Sequence, residues 1–381
     1  MIPAEKNSLF FLLNTRYPTE KAYGVTTGRT CQAINESGSK AFILAPTGDN
    51  RDSYGNHIFD VSQYLINTYP PREKAFRIWH TVRNVQDSLK IRKRIREMNI
   101  DEQHPIFICR EWLQVIILSV TLPAHLFVFE VHRYSSWLRR LITSPLVFLK
   151  GLRIITITDQ SLKDWESAVM KSRLLNLPMG VEESFFQPPR LSASTEWLRI
   201  VFVGKAKSSG EDNGLDALLS GLRIIASNDF RIHVSLVGIE SNEVAQLKKY
   251  ENTYLRLEFI SHIKHQEIPL VLRQSTIGIV PYPENRYHNY RFPIKILEYA
   301  ASSLVILASD TPSHRAILDE SLAFFYSTKD VRSLKSALSK IRLGGKEVGE
   351  KVICAQNWAK QFTYQKRALK LLEFLGRKTT Q

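Results

Sequence analysis

The chain has 381 residues, more than one hydrophobic core usually supports, so two domains are expected. Hydrophobic residues make up 44% and charged residues 23% of the chain, which are the proportions of an ordinary globular protein. The net charge is +15, and three widely separated cysteines indicate neither a disulfide framework nor a zinc site, so we expect a reducing compartment.

Neither a signal peptide nor a membrane span is predicted from the sequence. The apolar stretch Leu9 to Leu13 is too short for a signal peptide, and Glu5 precedes it. The longest nearly uncharged apolar stretch, Val115 to Phe129, contains Pro123 and His125 and is too short to cross a bilayer. We expect a cytoplasmic protein that is soluble or peripheral at the inner face of the membrane.

The first 45 residues are typical of a strand–helix–strand unit. The predicted elements are a buried strand over Leu9–Leu13, a helix from about Gly24 to Glu36 and a strand over Lys40–Ala45. The segment Thr19 to Gly24 follows the first strand, at the edge where open α/β sheets bind their ligands. Gly24 and Gly28 open the helix without side chains, which lets a ligand approach the backbone closely.

A long basic helix is predicted over Glu73–Met98. Apolar residues at helical spacing indicate its buried face, namely Ile78, Val82, Val85 and Leu89. The stretch Arg72 to Glu97 holds nine basic and three acidic residues. Such a cluster is a solvated surface, a site for nucleic acid, or a site for an anionic acceptor or membrane.

Three further strands are predicted in the first half, over Pro105–Cys109, Leu126–Phe129 and Arg153–Ile157. The second of these ends in FEVHR, which places Glu130 and His132 at a carboxyl strand end. An apolar helical stripe follows, containing Trp137, Leu138, Leu141 and Ile142, with Arg139 and Arg140 beside it. We interpret the stripe as core or as a partly exposed membrane-docking face.

The second half repeats the α/β alternation after a linker over 176–197. Helices alternate with six apolar runs, so a parallel sheet with right-handed crossovers is predicted. The predicted strands are Leu198–Val203, His233–Val237, Arg256–Ile260, Ile277–Val280, Val305–Ala308 and Ala323–Tyr326.

One stretch, Phe292 to Leu318, combines a helix start with charged residues at a useful spacing. Pro293 suits the first turn of a helix, and Lys295 and Glu298 lie one turn apart on one face. A positive helix N-terminus beside a lysine suits a phosphate, and a carboxylate one turn on can accept both hydroxyls of a ribose.

The pattern P-x-K-x-x-E-Y-x-A, followed by an apolar strand and Ser-Asp, resembles the donor-site helix of glycosyltransferase family 4, retaining enzymes of the GT-B fold. This resemblance implies an α/β protein with two doubly wound Rossmann-like domains that face each other across a cleft. It implies an N-terminal acceptor-side domain (1–188), a linker (189–197), a C-terminal nucleotide-sugar domain (198–360) and a helix that crosses back (361–381).

The resemblance also implies roles for individual residues. The histidine of the family's E-x-H segment approaches the donor sugar, and His132 matches it. The implied catalytic residues are His132, Lys205, Lys295 and Glu298. The implied donor contacts are Gly24, Gly204, Lys207, Arg291, Pro293, Ile294 and again Glu298. The implied acceptor-side residues are Lys21, Tyr23 and Glu130.

The sequence departs from the family pattern at two places. Asn213-Gly214 stands where a Lys–Gly pair is expected, so one phosphate-binding cation is missing or is supplied by Lys207. Arg291, seven residues before Glu298, lies in the segment where many members carry a further glutamate. The chain has no D-x-D motif, which favours chemistry without a metal, and no cofactor is expected besides the nucleotide-diphosphate sugar as co-substrate.

The predicted activity is therefore retaining transfer of a sugar from a nucleotide-diphosphate sugar to a glycan or lipid-linked acceptor, in surface polysaccharide or glycolipid synthesis. A nucleotide-sugar epimerase and a catalytically altered GT-B scaffold are the alternatives. A dinucleotide oxidoreductase and a P-loop NTPase are disfavoured, because the chain contains neither G-x-G nor G-x-x-x-x-G-K. An anionic membrane surface is the further partner expected from the charge, and nucleic acid ranks below it.

Overall fold

The computed structural model describes residues 8–13, 17–18, 22–46, 58–60, 76–97, 104–122, 125–188, 196–208, 210–261 and 263–376. The chain divides into two compact units. The first unit comprises Met1–Met179 together with Tyr364–Gln381, and the second comprises Gly180–Thr363.

The first unit is built on a parallel sheet with the order β3-β2-β1-β4-β5-β6-β7. Its strands are short, and those whose side chains the structure describes are mostly buried, as parallel strands covered on both faces are. They are β1 (Leu9–Leu12), β2 (Ala41–Ala45), β3 (Ile58–Asp60), β4 (Ile106–Cys109), β5 (Leu126–Val131), β6 (Arg153–Thr156) and β7 (Leu174–Asn176). Its first five helices are α1 (Ala22–Glu36), α2 (Phe76–Glu97), α3 (Trp112–Thr121), α4 (Trp137–Lys150) and α5 (Asp159–Glu166).

The core of the first unit shows a different buried face of α2 from the predicted one. Val82 and Leu89, predicted to be buried, are 50% and 45% exposed. Ile91 and Ile95 are fully buried instead and pack in the cluster that also contains residues of α3, α4 and the sheet. Ile91 and Ile95 therefore belong to the buried face of α2, and the helix packs against α3.

The second unit is built on a parallel sheet, as its sequence pattern predicted, and the strand order is β12-β11-β8-β13-β14-β15. Its strands are β8 (Trp197–Val203), β11 (Arg231–Val237), β12 (Leu255–Ile260), β13 (Ile277–Val280), β14 (Val305–Ser309) and β15 (Ala323–Tyr326). A small antiparallel pair, β9 (Lys207–Ser208) and β10 (Glu211–Asp212), follows β8.

The helices of the second unit connect these strands. They are α6 (Leu215–Ile225), α7 (Ser241–Lys248), α8 (Ile268–Leu272), α9 (Arg286–Asn289), α10 (Ile294–Ala301), α11 (Pro312–Arg315), α12 (Val331–Leu343) and α13 (Lys346–Ala359). The chain then returns to the first unit, where α14 (Tyr364–Phe374) packs on α1.

The segment after Met179 belongs to the second unit because it is bonded to α10 and its C-terminal turn. The Gln187 N–H donates to the Ala301 carbonyl at 3.1 Å, and the Ser303 hydroxyl donates to the Gln187 carbonyl at 2.8 Å. The first unit therefore ends nine residues before the predicted boundary at 188. The returning helix begins at Tyr364, close to the predicted position 361.

Candidate functional site

The strand order of the second unit creates a switch point between β8 and β13. The chain first adds β11 and β12 on one side of β8, and it then adds β13, β14 and β15 on the other side. Ligands of open α/β sheets bind beyond the carboxyl ends of the strands at such a point. Gly204 lies directly after β8, with a φ of +143°, and its N–H donates to the Val237 carbonyl at 2.8 Å. This conformation favours glycine, and it keeps the strand end free of a side chain.

Lys295, in the first turn of α10, reaches this strand end. Its Nζ atom lies 2.6 Å from the position that a Cβ on Gly204 would occupy. The ammonium also lies 4.6 Å from the ring centroid of Phe202 and 5.1 Å from that of Tyr282. Among the residues that the structure describes, no carboxylate pairs with Lys295. Its charge is therefore available to an anionic ligand.

Glu298 lies one turn further along α10 and is buried, with 5% of its surface exposed. Its Oε1 atom is 3.0 Å from Nε2 of His265, and the other ring nitrogen, Nδ1, is 3.1 Å from Oε1 of Glu182. Burial alone would lower the pKa of His265, but the two carboxylates raise it to about 9. At neutral pH His265 is therefore a cation held between two glutamates.

Tyr299 fixes α10 against the sheet at this place. Its ring packs so closely on Gly278 of β13 that a Cβ there would overlap it. The backbone N–H of Val203 donates to the Tyr299 hydroxyl at 2.9 Å. Because Val203 is the last residue of β8, this bond ties the helix that carries Lys295 and Glu298 to the strand that leads to Gly204.

The loop after β8 carries the other predicted phosphate ligands. Lys207 is exposed, and Lys205 is exposed and paired with Glu240. Asn213 is buried, and its side-chain amide donates to the Lys205 carbonyl at 2.7 Å and to the Ser208 hydroxyl at 2.9 Å. Gly214 has a φ of +80°, and a Cβ there would overlap the Pro281 carbonyl. Asn213 therefore organises the loop from within.

The segment before α10 places Arg291 beside the same aromatic ring as Lys295. Its guanidinium carbon lies 4.7 Å from the ring centroid of Tyr287 and 5.9 Å from that of Tyr282. Pro293 is the N-cap residue of α10, and Ile294 is its first helical residue. The two glutamates of an E-x(7)-E pair are eight positions apart in sequence. The counterpart of the first glutamate is therefore Tyr290, and Arg291 follows it.

The first unit has a second polar cluster at the carboxyl end of β5. Glu130 is buried and accepts a hydrogen bond from Nε of Arg110 at 2.7 Å. Arg367 of α14, itself buried, donates to the other carboxylate oxygen and to the carbonyls of Leu177 and Pro178. The two arginines hold the pKa of Glu130 well below its usual range, although burial opposes them. Glu130 is therefore a buried anion that positions its neighbours.

His132 lies at the edge of this cluster, with Nε2 3.1 Å from the Glu130 carboxylate. Burial and the nearby Arg110 lower its pKa to about 4, against the effect of Glu130. The imidazole is thus neutral at pH 7. A neutral imidazole has one nitrogen that donates a hydrogen bond and one that accepts, so His132 can do either at pH 7.

The remaining predicted residues of the first unit lie near α1. Gly24 is buried in the first turn of that helix. The Tyr23 carbonyl accepts a hydrogen bond from Nη1 of Arg110 at 3.2 Å, which links it to the Glu130 cluster. Lys21 lies outside the described residues.

No helix among the described residues is both long and apolar enough to cross a bilayer. They also contain no group of three or more His, Cys, Asp or Glu side chains arranged to hold a metal ion.

The second unit also matches a known protein family. Residues 198–342 match the family model of glycosyl transferases group 1. The resemblance to a glycosyltransferase that the sequence of α10 predicts is therefore confirmed at the level of this group, and the matched segment contains Gly204, Lys295 and Glu298. No curated protein sequence matches the chain significantly.

Solved structures confirm the GT-B fold over almost the whole chain. Sucrose-phosphate synthase from Thermosynechococcus elongatus superposes with a TM-score of 0.71 at 14% identity, covering 97% of this chain and 98% of its own. Anabaena HepE in complex with UDP gives 0.69 at 10% identity, covering 97% and 99%. The lipopolysaccharide outer core galactosyltransferase WaaB gives 0.68 at 12% identity, with the same coverage as HepE.

Sequence reasoning missed four residues that organise these sites: His265, Tyr299, Arg110 and Arg367. Tyr299 belongs to the quoted E-Y-x-A pattern, so its position was visible although its role was not. The others bond to residues remote in sequence. Arg367 is 237 residues from Glu130, and His265 is 33 residues from Glu298. Such pairings leave no local spacing pattern.

Proposed function

We propose that this protein is a retaining glycosyltransferase that moves a sugar from a nucleotide-diphosphate sugar to a glycan or lipid-linked acceptor, without a metal ion. The observation that carries the proposal is the placement of Lys295 against Gly204 at the switch point of a sheet that matches glycosyl transferases group 1, with the buried Glu298 one turn further along the same helix. These three features suit a nucleoside diphosphate. The strand end without a side chain leaves room for the diphosphate, the lysine attracts its charge, and the buried carboxylate can accept hydrogen bonds from the ribose.

Each part of the donor has a matching group in the second unit. The diphosphate binds Lys295 and the N-terminus of α10, whose N–H groups carry partial positive charge. Lys205, Lys207 and Arg291 supply further positive charge, since Asn213 is committed to its loop. Glu298 accepts hydrogen bonds from the ribose hydroxyls, with the donor contact completed by Pro293 and Ile294.

The chemistry follows from these contacts. The bond between the anomeric carbon and the diphosphate oxygen breaks, the acceptor oxygen bonds to the same carbon with the same configuration, and the acceptor's proton passes to the departing diphosphate oxygen. Negative charge develops on the leaving diphosphate, and Lys295 stabilises it. His132, a neutral imidazole, contacts the reacting sugar, and the first unit binds the acceptor beside Tyr23 and Gly24.

The structural neighbours support a uridine nucleotide as the first donor to test. Crystal structures of Anabaena HepE contain UDP and UDP-glucose. The test is thermal stabilisation of the protein by UDP-, GDP- and ADP-sugars, because a ligand of the folded state raises its apparent stability. One sugar nucleotide should raise Tm, and the Glu298→Gln variant should lose that shift while Glu350→Gln, an exposed residue of α13, keeps it.

Incubation of the stabilising donor with and without acceptor then separates the activities. Transfer to acceptor with the anomeric configuration unchanged supports the proposal, and NMR of the product reads that configuration. An epimerised donor formed without acceptor indicates the epimerase instead. A protein that no sugar nucleotide stabilises contradicts the proposal.

We also propose that the first unit binds an anionic membrane surface. The observation that supports this is an exposed apolar face on α4. One face of this helix is apolar and exposed, with Trp137 67% and Phe148 76% exposed. We name it the α4 apolar face, and it consists of Trp137, Leu138, Leu141, Ile142, Phe148 and Leu149. Exposed amphipathic helices of this kind lie in the headgroup region of a bilayer.

Positive charge accompanies the α4 apolar face. Arg139 and Lys150 are exposed on α4 itself, and Lys90, Lys93 and Arg96 are exposed on α2. Each basic residue near an anionic surface contributes about 1 kcal/mol of binding. The protein should sediment with anionic vesicles and not with neutral ones, and added salt should release it. Leu141→Gln with Phe148→Ser should abolish sedimentation, whereas Leu343→Gln, an exposed leucine of the second unit, should not.

A further inference from the structure

We propose that His265 is a positioning residue for donor binding, which holds the Glu298 carboxylate in place and aimed at the ribose. This inference rests on the proposed function and adds a residue to it. His265 belongs to the short segment before α8 and lies between Glu182, from the segment after Met179, and Glu298 on α10.

The geometry leaves the imidazole little freedom. Nε2 is hydrogen-bonded to Glu298 at 3.0 Å, and Nδ1 lies 3.1 Å from a carboxylate oxygen of Glu182. The ring of Phe185, which is fully buried, lies 5.4 Å from the imidazole, centroid to centroid. The segment that carries Glu182 is held in turn, because the Phe185 N–H donates to the Glu182 carbonyl at 3.1 Å and the Phe185 carbonyl accepts a hydrogen bond from Ser302, directly after α10, at 3.2 Å. His265 and its two glutamates therefore connect the segment after Met179 with α10, which the hydrogen bond between Ser302 and the Phe185 carbonyl also joins.

The charges around the ring favour its cationic form. Glu182 and Glu298 face it from the two neighbouring segments, and their carboxylates raise the pKa of His265 to about 9. On its own segment, Glu267 accepts a hydrogen bond from the Lys264 N–H at 3.1 Å. A ribose that binds Glu298 therefore meets a carboxylate whose charge is balanced and whose orientation is set before the ligand arrives.

A purely structural role for His265 makes a different prediction. A histidine that only joins two segments would change stability when replaced, with UDP affinity and its pH dependence left unchanged. A positioning role links UDP affinity to the charge of the ring. Above pH 9 the ring loses a proton, one of its nitrogens then faces a carboxylate as an acceptor, and UDP binding weakens.

The test is titration of UDP into the full-length protein by calorimetry from pH 7 to 9.5. Wild-type protein should bind with constant affinity up to about pH 8 and more weakly near pH 9. His265→Gln should bind about tenfold more weakly at pH 7, the loss expected for a charge-assisted hydrogen bond, with no change across this range. His233→Gln, in which a histidine near Glu258 is replaced, should behave as wild type.

Glu182→Gln provides a second variant that retains both His265 and Glu298. It should weaken UDP binding and lower the pKa of the imidazole, which NMR titration of the ring protons measures directly. If wild-type protein binds UDP and His265→Gln keeps the wild-type affinity and pH profile, the inference is contradicted while the proposed function stands. If His265→Gln does not fold, unchanged UDP binding by Glu182→Gln contradicts the inference. If wild-type protein binds no UDP or other nucleoside diphosphate, the proposed function fails and the inference fails with it.

Discussion

The ammonium of Lys295 occupies the space that a side chain on Gly204 would need. Its Nζ atom lies 2.6 Å from the ideal Cβ position, and the positive φ of Gly204 by itself disfavours any other residue. The bare strand end and the lysine are thus two parts of one arrangement. An anion bound there would contact the backbone of β8 and the charge of α10 together.

Gly204→Ala should disrupt this arrangement and leave the fold intact. The strained backbone should cost about 1–3 kcal/mol of stability, and the displaced Lys295 should weaken nucleotide binding by about tenfold. Urea unfolding and calorimetry measure the two effects. Gly349→Ala is the control, because that glycine lies in α13 with open space around it and alanine favours the helix. Equal UDP affinity in both variants would show that Gly204 has no role in the site.

Tyr299→Phe should loosen α10 from the end of β8. The change removes the acceptor of the Val203 N–H, and an unsatisfied buried donor costs about 1–3 kcal/mol. We expect a matching loss in the unfolding free energy of the second unit and weaker UDP binding. Tyr326→Phe serves as the control, since that buried hydroxyl has no hydrogen-bond partner among the described residues. Equal effects of the two changes would contradict the assigned role of Tyr299.

Glu130→Gln should destabilise the first unit strongly. Arg367 is buried and Arg110 largely so, and the substitution leaves their charges without a counter-ion. Breaking a buried ion pair from one side costs about 3–5 kcal/mol. Hydrogen exchange of the β5 amides measures the loss, and Glu350→Gln on exposed α13 should leave it unchanged. A loss below about 1 kcal/mol would mean that the arginines find other partners.

Stability should fall between pH 6.5 and pH 4. Burial is the main cause that lowers the pKa of both His132 and His314 to about 4. Below pH 6.5 the unfolded chain takes up protons at these positions while the folded chain does not. The stabilisation is therefore complete above 6.5 and is lost as the pH falls towards 4. Each group contributes up to about 3 kcal/mol.

Urea unfolding at several pH values tests this dependence. His314→Gln removes one of the two groups and should give a shallower loss of stability on acidification. His104→Asn changes an exposed histidine and should keep the wild-type slope. A wild-type slope in His314→Gln would contradict the assignment.

The sequence predicted the strands well because buried parallel strands are continuous apolar runs. Ile277–Val280 and Ala323–Tyr326 have the predicted bounds. Strands β3 and β7 were missed, since three residues make too short a pattern. The predicted buried face of α2 was wrong because that helix has more than one apolar stripe. Only the packing against α3 selects the stripe that contains Ile91 and Ile95.

The candidate site divides in the same way. Lys295 and Glu298 were predictable because their spacing within one helix is a local pattern. His265, with its partners Glu182 and Glu298, depends on three segments that only the folded chain brings together. The role of Asn213 was also not predicted. In the sequence it only stands where a lysine is expected, and the hydrogen bond from its side chain to the backbone of its own loop is visible only in the structure.

The central claim is that the second unit binds a nucleoside diphosphate through Glu298 and Lys295. Calorimetric titration of UDP, GDP and ADP into wild-type protein, Glu298→Ala, Lys295→Ala and Lys340→Ala tests it most directly. One nucleotide should bind wild-type protein and the exposed control Lys340→Ala equally. Each site variant should lose about 1.5–3 kcal/mol, or about 10- to 150-fold in affinity. Equal binding by all four proteins, or binding of none of the nucleotides by wild-type protein, would contradict the claim.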